Sequence, residues 1–107
     1  MNDKQKMKIF QKIKDILVAK INPNSIFIFG LFATNTETEN SDIDILIEKE
    51  TIEPFHRRSI GVRRLLKDID FPFDLLIYSP EEIKQKRTSK YSVVYQALTK
   101  GIKIYEK

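Results

Sequence analysis

Two carboxylates, Asp42 and Asp44, stand one residue apart in Ser41-Asp42-Ile43-Asp44-Ile45-Leu46-Ile47. In an extended strand, side chains at i and i+2 share a face, so the two aspartates point one way and Ile43, Ile45 and Ile47 the other. Adjacent like charges repel, and one carboxyl pKa rises unless a cation sits between them. A hard divalent cation such as Mg2+, held by one or two carboxylates together with substrate phosphates, removes that repulsion. The pair therefore points to a metal-dependent phosphate site. Asp74, in Phe71-Pro72-Phe73-Asp74-Leu75-Leu76-Ile77, adds a third carboxylate near the start of a later strand. If the strands are neighbours, the three meet on one sheet face. Three carboxylates suit two metal ions, one activating an attacking hydroxyl and the other stabilising the leaving oxygen. That is the chemistry of phosphoryl or nucleotidyl transfer. Gly30 ends an upstream apolar run, in a tight turn where backbone N–H groups could face a phosphate.

These residues need a scaffold, and the flanking pattern supplies one. Ile9, Phe10, Ile13, Ile16, Leu17 and Ile21 recur at helical spacing with lysines opposite, which predicts an amphipathic helix over 3–20. Asn22-Pro23-Asn24 stops it. Ser25 to Phe29 reads as a short buried strand, and 31–41 as a polar loop that could open with a helical turn. The Asp42–Glu48 strand follows. Pro54 suits the first turn of a helix over 54–69, with Ile60, Leu65, Leu66 and Ile69 as its apolar stripe. Phe73 to Tyr78 is a third strand. Ser79-Pro80-Glu81-Glu82 is a capping box, with Pro80 at the first helical position. The helical pattern then runs to Lys100, with a break near Thr88-Ser89, and places Tyr91 and Tyr95 one turn apart against a neighbour. Gly101 fits just past the helix end, and Ile102-Lys103-Ile104-Tyr105 alternates as a last strand. The order α-β-β-α-β-α-β describes a single small α+β (mixed α/β) domain over 1–107, a mixed sheet with helices packed on it.

Composition narrows the function. The 107 residues are 41% hydrophobic and 32% charged, which suits a soluble globular domain with one core. The chain has no cysteine and one histidine, so disulfides, thiolate zinc sites and histidine-built metal sites are excluded. His56 reads as a surface helix residue. No apolar run approaches a bilayer-spanning length and no signal-peptide pattern is present, so a cytoplasmic location without membrane attachment is the default expectation. The net charge is +4, spread over the first helix and over Arg57, Arg58, Arg63 and Arg64. The first group reads as a solvated helix face. Arg63 and Arg64 either clamp a triphosphate or are solvated in the same way.

Gly30-Leu31, ten residues, then Asp42-Ile43-Asp44 resembles the signature of the DNA polymerase β nucleotidyltransferase superfamily: Gly-Ser, ten residues, Asp-x-Asp, and a third Asp on a later strand. Length, leading helix and the Gly-Ile-Lys-Ile-Tyr ending are similar to the minimal nucleotidyltransferase (MNT) proteins, and the likeness covers nearly the whole chain. The resemblance implies the polymerase β-like fold. It implies that Asp42, Asp44 and Asp74 are the catalytic, metal-holding carboxylates for two Mg2+ ions. It also places Gly30, Leu31 and Ser41 at the nucleotide, with ATP as substrate. Many relatives are antitoxins paired with all-helical HEPN toxins, and some inactivate the toxin by transferring AMP to a tyrosine hydroxyl. Two departures stand out. Leu31 replaces the Ser whose hydroxyl contacts phosphates, a bond worth roughly 1.5–3 kcal/mol. Thr34-Asn35 stands where relatives often carry a basic residue and a glycine. Thr34, Thr36 or Ser41 could substitute for the missing hydroxyl.

Three functions follow from this reading. One is a Mg2+-dependent transferase moving a nucleoside monophosphate, AMP from ATP, onto a protein partner's hydroxyl. Another is a module that keeps the fold but neutralises a HEPN-type helical partner by contact alone. A nucleic-acid-directed transferase ranks last, because 107 residues leave no room for a domain that holds DNA or tRNA. A small domain exposes its cleft, so a homo- or hetero-oligomer completing the site is expected. A haloacid dehalogenase-like phosphatase is excluded, because Leu46 stands where that family needs Thr and the chain is too short.

Overall fold

The computed structural model describes residues 1–107. Its organising element is β2, Ile43–Glu48, whose alternating Ile43, Ile45 and Ile47 are all buried. β2 runs antiparallel to β1, Ser25–Phe29, and parallel to β3, Phe73–Tyr78. β4, Ile102–Glu106, adds antiparallel to the far side of β1 and gives the order β3-β2-β1-β4. A parallel neighbour needs a crossover rather than a hairpin. α2, Phe55–Leu65, supplies it between β2 and β3.

Helices cover both faces of the sheet. α1, Asp3–Ile21, buries Phe10, Ile13 and Leu17 against Ile26, Ile28, Ile43, Ile45 and Ile47, and Val62 and Leu66 at the α2 end join the same core. On the other face, α3 (Pro80–Lys86) and α4 (Val93–Lys100) bring Ile83, Val94 and Ala97 onto Phe27 and Leu46. Thus the aspartate face of β2 is not open along its length. Leu46, two residues past Asp44, is fully buried, and only the start of the strand is free.

The local signals act as expected at most boundaries. The Ser79 hydroxyl accepts from the Glu82 amide and the Glu82 carboxylate accepts from the Ser79 amide, with Pro80 at the first turn of α3. α1 begins with a second capping box, between Asn2 and Gln5. Four details depart from the pattern. Asp42 precedes β2 rather than lying in it. Pro54 precedes α2 as its N-cap, and the helix stops at Leu65, followed by turns to Ile69. Ile60 is 54% exposed, and Val62 takes the core place the stripe assigned to it. Tyr91 lies ahead of α4 and is 99% exposed, because the chain turns between α3 and α4. Gly101 stands just past the end of α4 as expected, with extended backbone (φ −82°) rather than a left-handed one. Its role is close approach: a Cβ there would collide with the Ala97 and Ile28 carbonyls.

Candidate active site

At the start of β2 the strand register makes the site. Asp44 pairs with Phe29 on β1 and with Asp74 on β3, so the three form one row across the sheet. Paired residues in a sheet share a face, which brings the Asp44 and Asp74 carboxylates side by side. Asp42 sits two residues before Asp44, just ahead of the strand, and is exposed like Asp74. Asp44 is half-buried. Burial pushes the Asp44 carboxyl above its ordinary pKa, and the charges of Asp74 and Asp42 push the same way. No lysine or arginine forms an ion pair with any of the three. The repulsion therefore stands uncompensated within the chain.

Gly30 explains how the carboxylate and the turn come so close. It follows β1 with φ +72°, the left-handed region glycine enters at no steric cost. A Cβ there would run into the Asp44 carboxylate oxygen. Gly30, Leu31 and Phe32 form a single 3-10 turn, with Leu31 at its crest and 48% exposed. Phe32 buries its ring against Phe71, edge to face at 5.3 Å. The turn is thus pinned by Phe32 while Gly30 stays free of side chain beside Asp44.

The rest of the loop is anchored by a residue the helical pattern assigned to solvent. Lys6, in the first turns of α1, is only 5% exposed. Its ammonium donates to Asn35 Oδ1 at 2.8 Å, pairs with the Glu37 carboxylate and lies 5.7 Å from the Phe32 ring centroid. Asn35 takes φ +58°, so Asn adopts the left-handed backbone a glycine would favour. Ser41 is buried, and its hydroxyl accepts from the Thr38 amide at 2.9 Å, closing the loop just before β2. The Thr34 and Thr36 hydroxyls are 2.7 Å apart, and the Thr34 hydroxyl reaches back to the Gly30 carbonyl at 3.5 Å. Arg63 is engaged elsewhere. It donates to the Phe73 carbonyl and lies over the Phe73 ring, whose partner Ile43 belongs to the opposite core.

The carboxylates suit a hard divalent ion in kind. They are oxygen donors, adjacent, unpaired by any cation of the chain, and open to solvent at one side. No group of three His, Cys, Asp or Glu stands within metal-holding distance, so the chain presents no closed three-ligand cage. Mg2+ does not demand one, since it is commonly held by one or two carboxylates plus phosphates. Asp42, Asp44 and Asp74 therefore fit an ion that arrives with a nucleotide.

Known proteins resemble this chain in sequence and in fold. A protein of Methanocaldococcus jannaschii named as a protein adenylyltransferase is 35% identical over 94 residues, 88% of this chain and 84% of that one. A second protein of that organism with the same kind of name is 55% identical over 40 residues, 37% of this chain. That match spans only 41% of the second relative's own length. A solved toxin–antitoxin structure with AMP-PNP superposes with TM-score 0.65 at 24% identity, covering 92% of this chain and 73% of that one, a likeness of fold. The family described as Polymerase beta, Nucleotidyltransferase matches residues 11–107, so Asp42, Asp44, Asp74 and Gly30 all lie within the matched span. The chain belongs to the polymerase beta nucleotidyltransferase family.

Proposed function

We propose that this chain transfers AMP from ATP, with Mg2+, to a hydroxyl group on a protein partner, and that it acts as the antitoxin of a toxin–antitoxin pair. The observation that carries the reading is the row Asp44–Asp74, half-buried at one end, unpaired, and overlapped by a turn that only glycine permits. The names of the relatives as adenylyltransferases and the toxin–antitoxin neighbour with AMP-PNP support the nucleotide and the setting.

Asp42 and Asp44 would hold the ions, and Asp74 would complete the set. Bound Mg2+ supplies a lowered hydroxyl pKa at the acceptor and neutralises phosphate charge. The acceptor oxygen attacks the α-phosphorus, the bond from that phosphorus to the bridging oxygen breaks, and pyrophosphate leaves. Asp74, the more exposed carboxylate of the row, takes the acceptor's proton on its side-chain oxygen. Gly30 lets the phosphates approach the backbone. The acceptor's protein is a helical partner of the HEPN type.

Leu31 favours a second reading. An exposed leucine at the crest of the phosphate turn offers no hydroxyl to a nucleotide, and it suits neutralisation of the partner by contact. One experiment separates the two. The chain and its partner are incubated with Mg2+ and ATP labelled at the α-phosphate, and toxin activity is measured in parallel. Label on the partner, absent with Asp44→Asn, supports transfer. Full neutralisation by Asp42→Ala/Asp44→Ala with no label supports contact alone.

A further inference from the structure

Lys6 is the only lysine or arginine of the chain that is buried. An ammonium taken out of water is costly unless it is paired and hydrogen-bonded. The bonds of this one all go to the loop that carries the Gly30 turn. It donates to Asn35 Oδ1 at 2.8 Å, pairs with the Glu37 carboxylate and lies against the Phe32 ring. The other lysines of α1 are exposed or half-buried, and none of them forms an ion pair.

What Lys6 holds is a backbone conformation. Asn35 has φ +58°, in the left-handed region where a side chain is strained and glycine is at ease. That conformation turns the chain back on itself, and the Thr36 amide donates to the Leu31 carbonyl at 3.1 Å. A left-handed residue followed by an amide bonded back into the turn is a common way to close a helical segment, and its usual occupant is glycine. Here it closes the turn Gly30–Phe32, and the Thr34 hydroxyl reaches the same Leu31 carbonyl at 3.4 Å. Asn22, the other left-handed asparagine, ends α1 and makes no side-chain hydrogen bond. Asn35 is therefore set apart by its clasp. A continuous run of bonds leads from α1 through Asn35 and Thr36 to Leu31 at the crest. The turn is fixed at both ends by left-handed residues, Gly30 against Asp44 and Asn35 against Lys6. It also walls one side of a cavity of about 270 Å3, with Gly30 and Thr34 across from Val93, Gln96 and Lys100 of α4.

On the nucleotidyl-transfer reading above, we infer that Lys6 is a positioning residue for the nucleotide: by holding Asn35 left-handed, it sets the Gly30 turn beside Asp44. Lys6 is buried, so it acts on the site only through the loop. The clasp does from outside what glycine would do alone. Asn35→Gly should therefore make Lys6 dispensable, because glycine enters a positive φ without help. A role through Glu37, or through general stability, gives no such relief, since Asn35→Gly restores neither the ion pair nor the buried charge.

The test takes two readouts on the intact chain: protection of the Thr36 amide against hydrogen exchange, and isothermal titration with ATP in the presence of Mg2+. Thermal denaturation shows which variants are folded. Lys6→Met should lower Thr36 protection and weaken ATP, each about tenfold, the size of one charge-assisted hydrogen bond. Asn35→Gly should bind ATP within about twofold of wild type, and Lys6→Met/Asn35→Gly should recover both readouts. If Lys6→Met does not fold, Asn35→Ala cuts the same bond from the exposed side and leaves the Lys6–Glu37 pair in place. It should weaken ATP about tenfold where Asn35→Gly does not. ATP affinity equal to wild type in Lys6→Met or Asn35→Ala overturns the positioning role and leaves nucleotidyl transfer standing. A loss in Lys6→Met that Asn35→Gly does not relieve also overturns it, because that damage does not pass through Asn35. The expected pattern of ATP binding without AMP transfer to any partner keeps the positioning role and sinks the transfer reading. No binding of ATP by wild type overturns both.

Discussion

The two ends of the parallel β2–β3 pair treat charge in opposite ways. At the carboxyl end the less exposed charges, Arg58, Glu82, Lys49 and Glu48, have partners. Arg58 pairs with Glu82 and donates to the Glu53 and Ile77 carbonyls, at 2.8 and 3.2 Å. The Arg58 hydrogen bond holds the Glu82 carboxyl below its ordinary pKa, helped by Ser79. Lys49 caps the Ile21 carbonyl, and Ser25 donates to Glu48 at 2.8 Å. At the amino end, 4 residues upstream on β2, Asp44 has no such partner and its pKa moves the other way. The same strands carry both ends, so the difference does not come from a fold unable to pair charges. An uncompensated carboxylate row is a stability cost that persists where a ligand completes it.

The largest test of that contrast is Asp44→Asn. On the proposed transfer, removing the Asp44 carboxylate should lower AMP transfer by roughly a thousandfold, several kcal/mol of transition-state stabilisation. It should leave the fold intact and raise the melting midpoint. The reason is the sign of the shift. A carboxyl whose folded pKa lies above its unfolded value loses stability for the fold as pH rises through that window, and the neutral amide removes this loss. A lower midpoint for Asp44→Asn at neutral pH would contradict the uncompensated row.

Gly30→Ala comes next. The methyl group must occupy a left-handed backbone and the space of the Asp44 carboxylate at once, a strain of order 1–3 kcal/mol. Because the collision is with one side chain, Gly30→Ala/Asp44→Ala should lose less than the sum of the single variants in a double-mutant cycle of thermal stability. Strict additivity would mean that the two residues do not meet.

Leu31→Ser sharpens the functional side. Leu31 is exposed, so the change is nearly neutral for the fold, while a hydroxyl facing phosphate should tighten ATP about tenfold in titration. Unchanged affinity would place Leu31 outside the phosphate path and strengthen the contact reading.

The smallest effect concerns the loop that carries the turn. The hydrogen bond from Lys6 lowers the Glu37 pKa, so the stability it gives the loop is complete above the ordinary carboxylate range and is lost as pH falls through the lowered value. The protection of residues 31–41 against hydrogen exchange, taken relative to the intrinsic rate at each pH, should therefore fall in acid for the wild type. In Lys6→Met that protection should be lower throughout and lose its dependence on pH. Identical exchange in the two proteins would show that Lys6 does not hold the loop.

Much of this was legible without coordinates, and the reason differs from place to place. The Ile43, Ile45, Ile47 alternation set the strand and the face of Asp44 because a period of two leaves no other choice. Ser79, Pro80 and Glu82 fixed the start of α3 because a capping box satisfies its own backbone locally. Asp42, Asp44 and Gly30 were visible as a spaced set of chemical types. Val62 was hidden because a helix with Ile60 and Leu65 near it offers two apolar stripes, and only the angle at which α2 crosses β3 selects one.

What the sequence determined alone is therefore what short-range physics decides: strand periodicity, helix caps, and which residue types could hold a phosphate. The tertiary structure decided the meetings. Asp74 lies 30 residues beyond Asp44, and only the parallel register imposed through α2 sets them side by side. Lys6 reads as one more solvated lysine until the loop folds over α1 and brings Asn35 and Glu37 to it. Gly101 reads as a helix cap, and its need for glycine comes from the Ala97 carbonyl of its own helix and also from the Ile28 carbonyl of a strand more than 70 residues away. Lys100 gained its place at the Gly30 cavity in the same way, because burial of Val94 and Ala97 turns the remaining stripe of α4 towards the Gly30 turn.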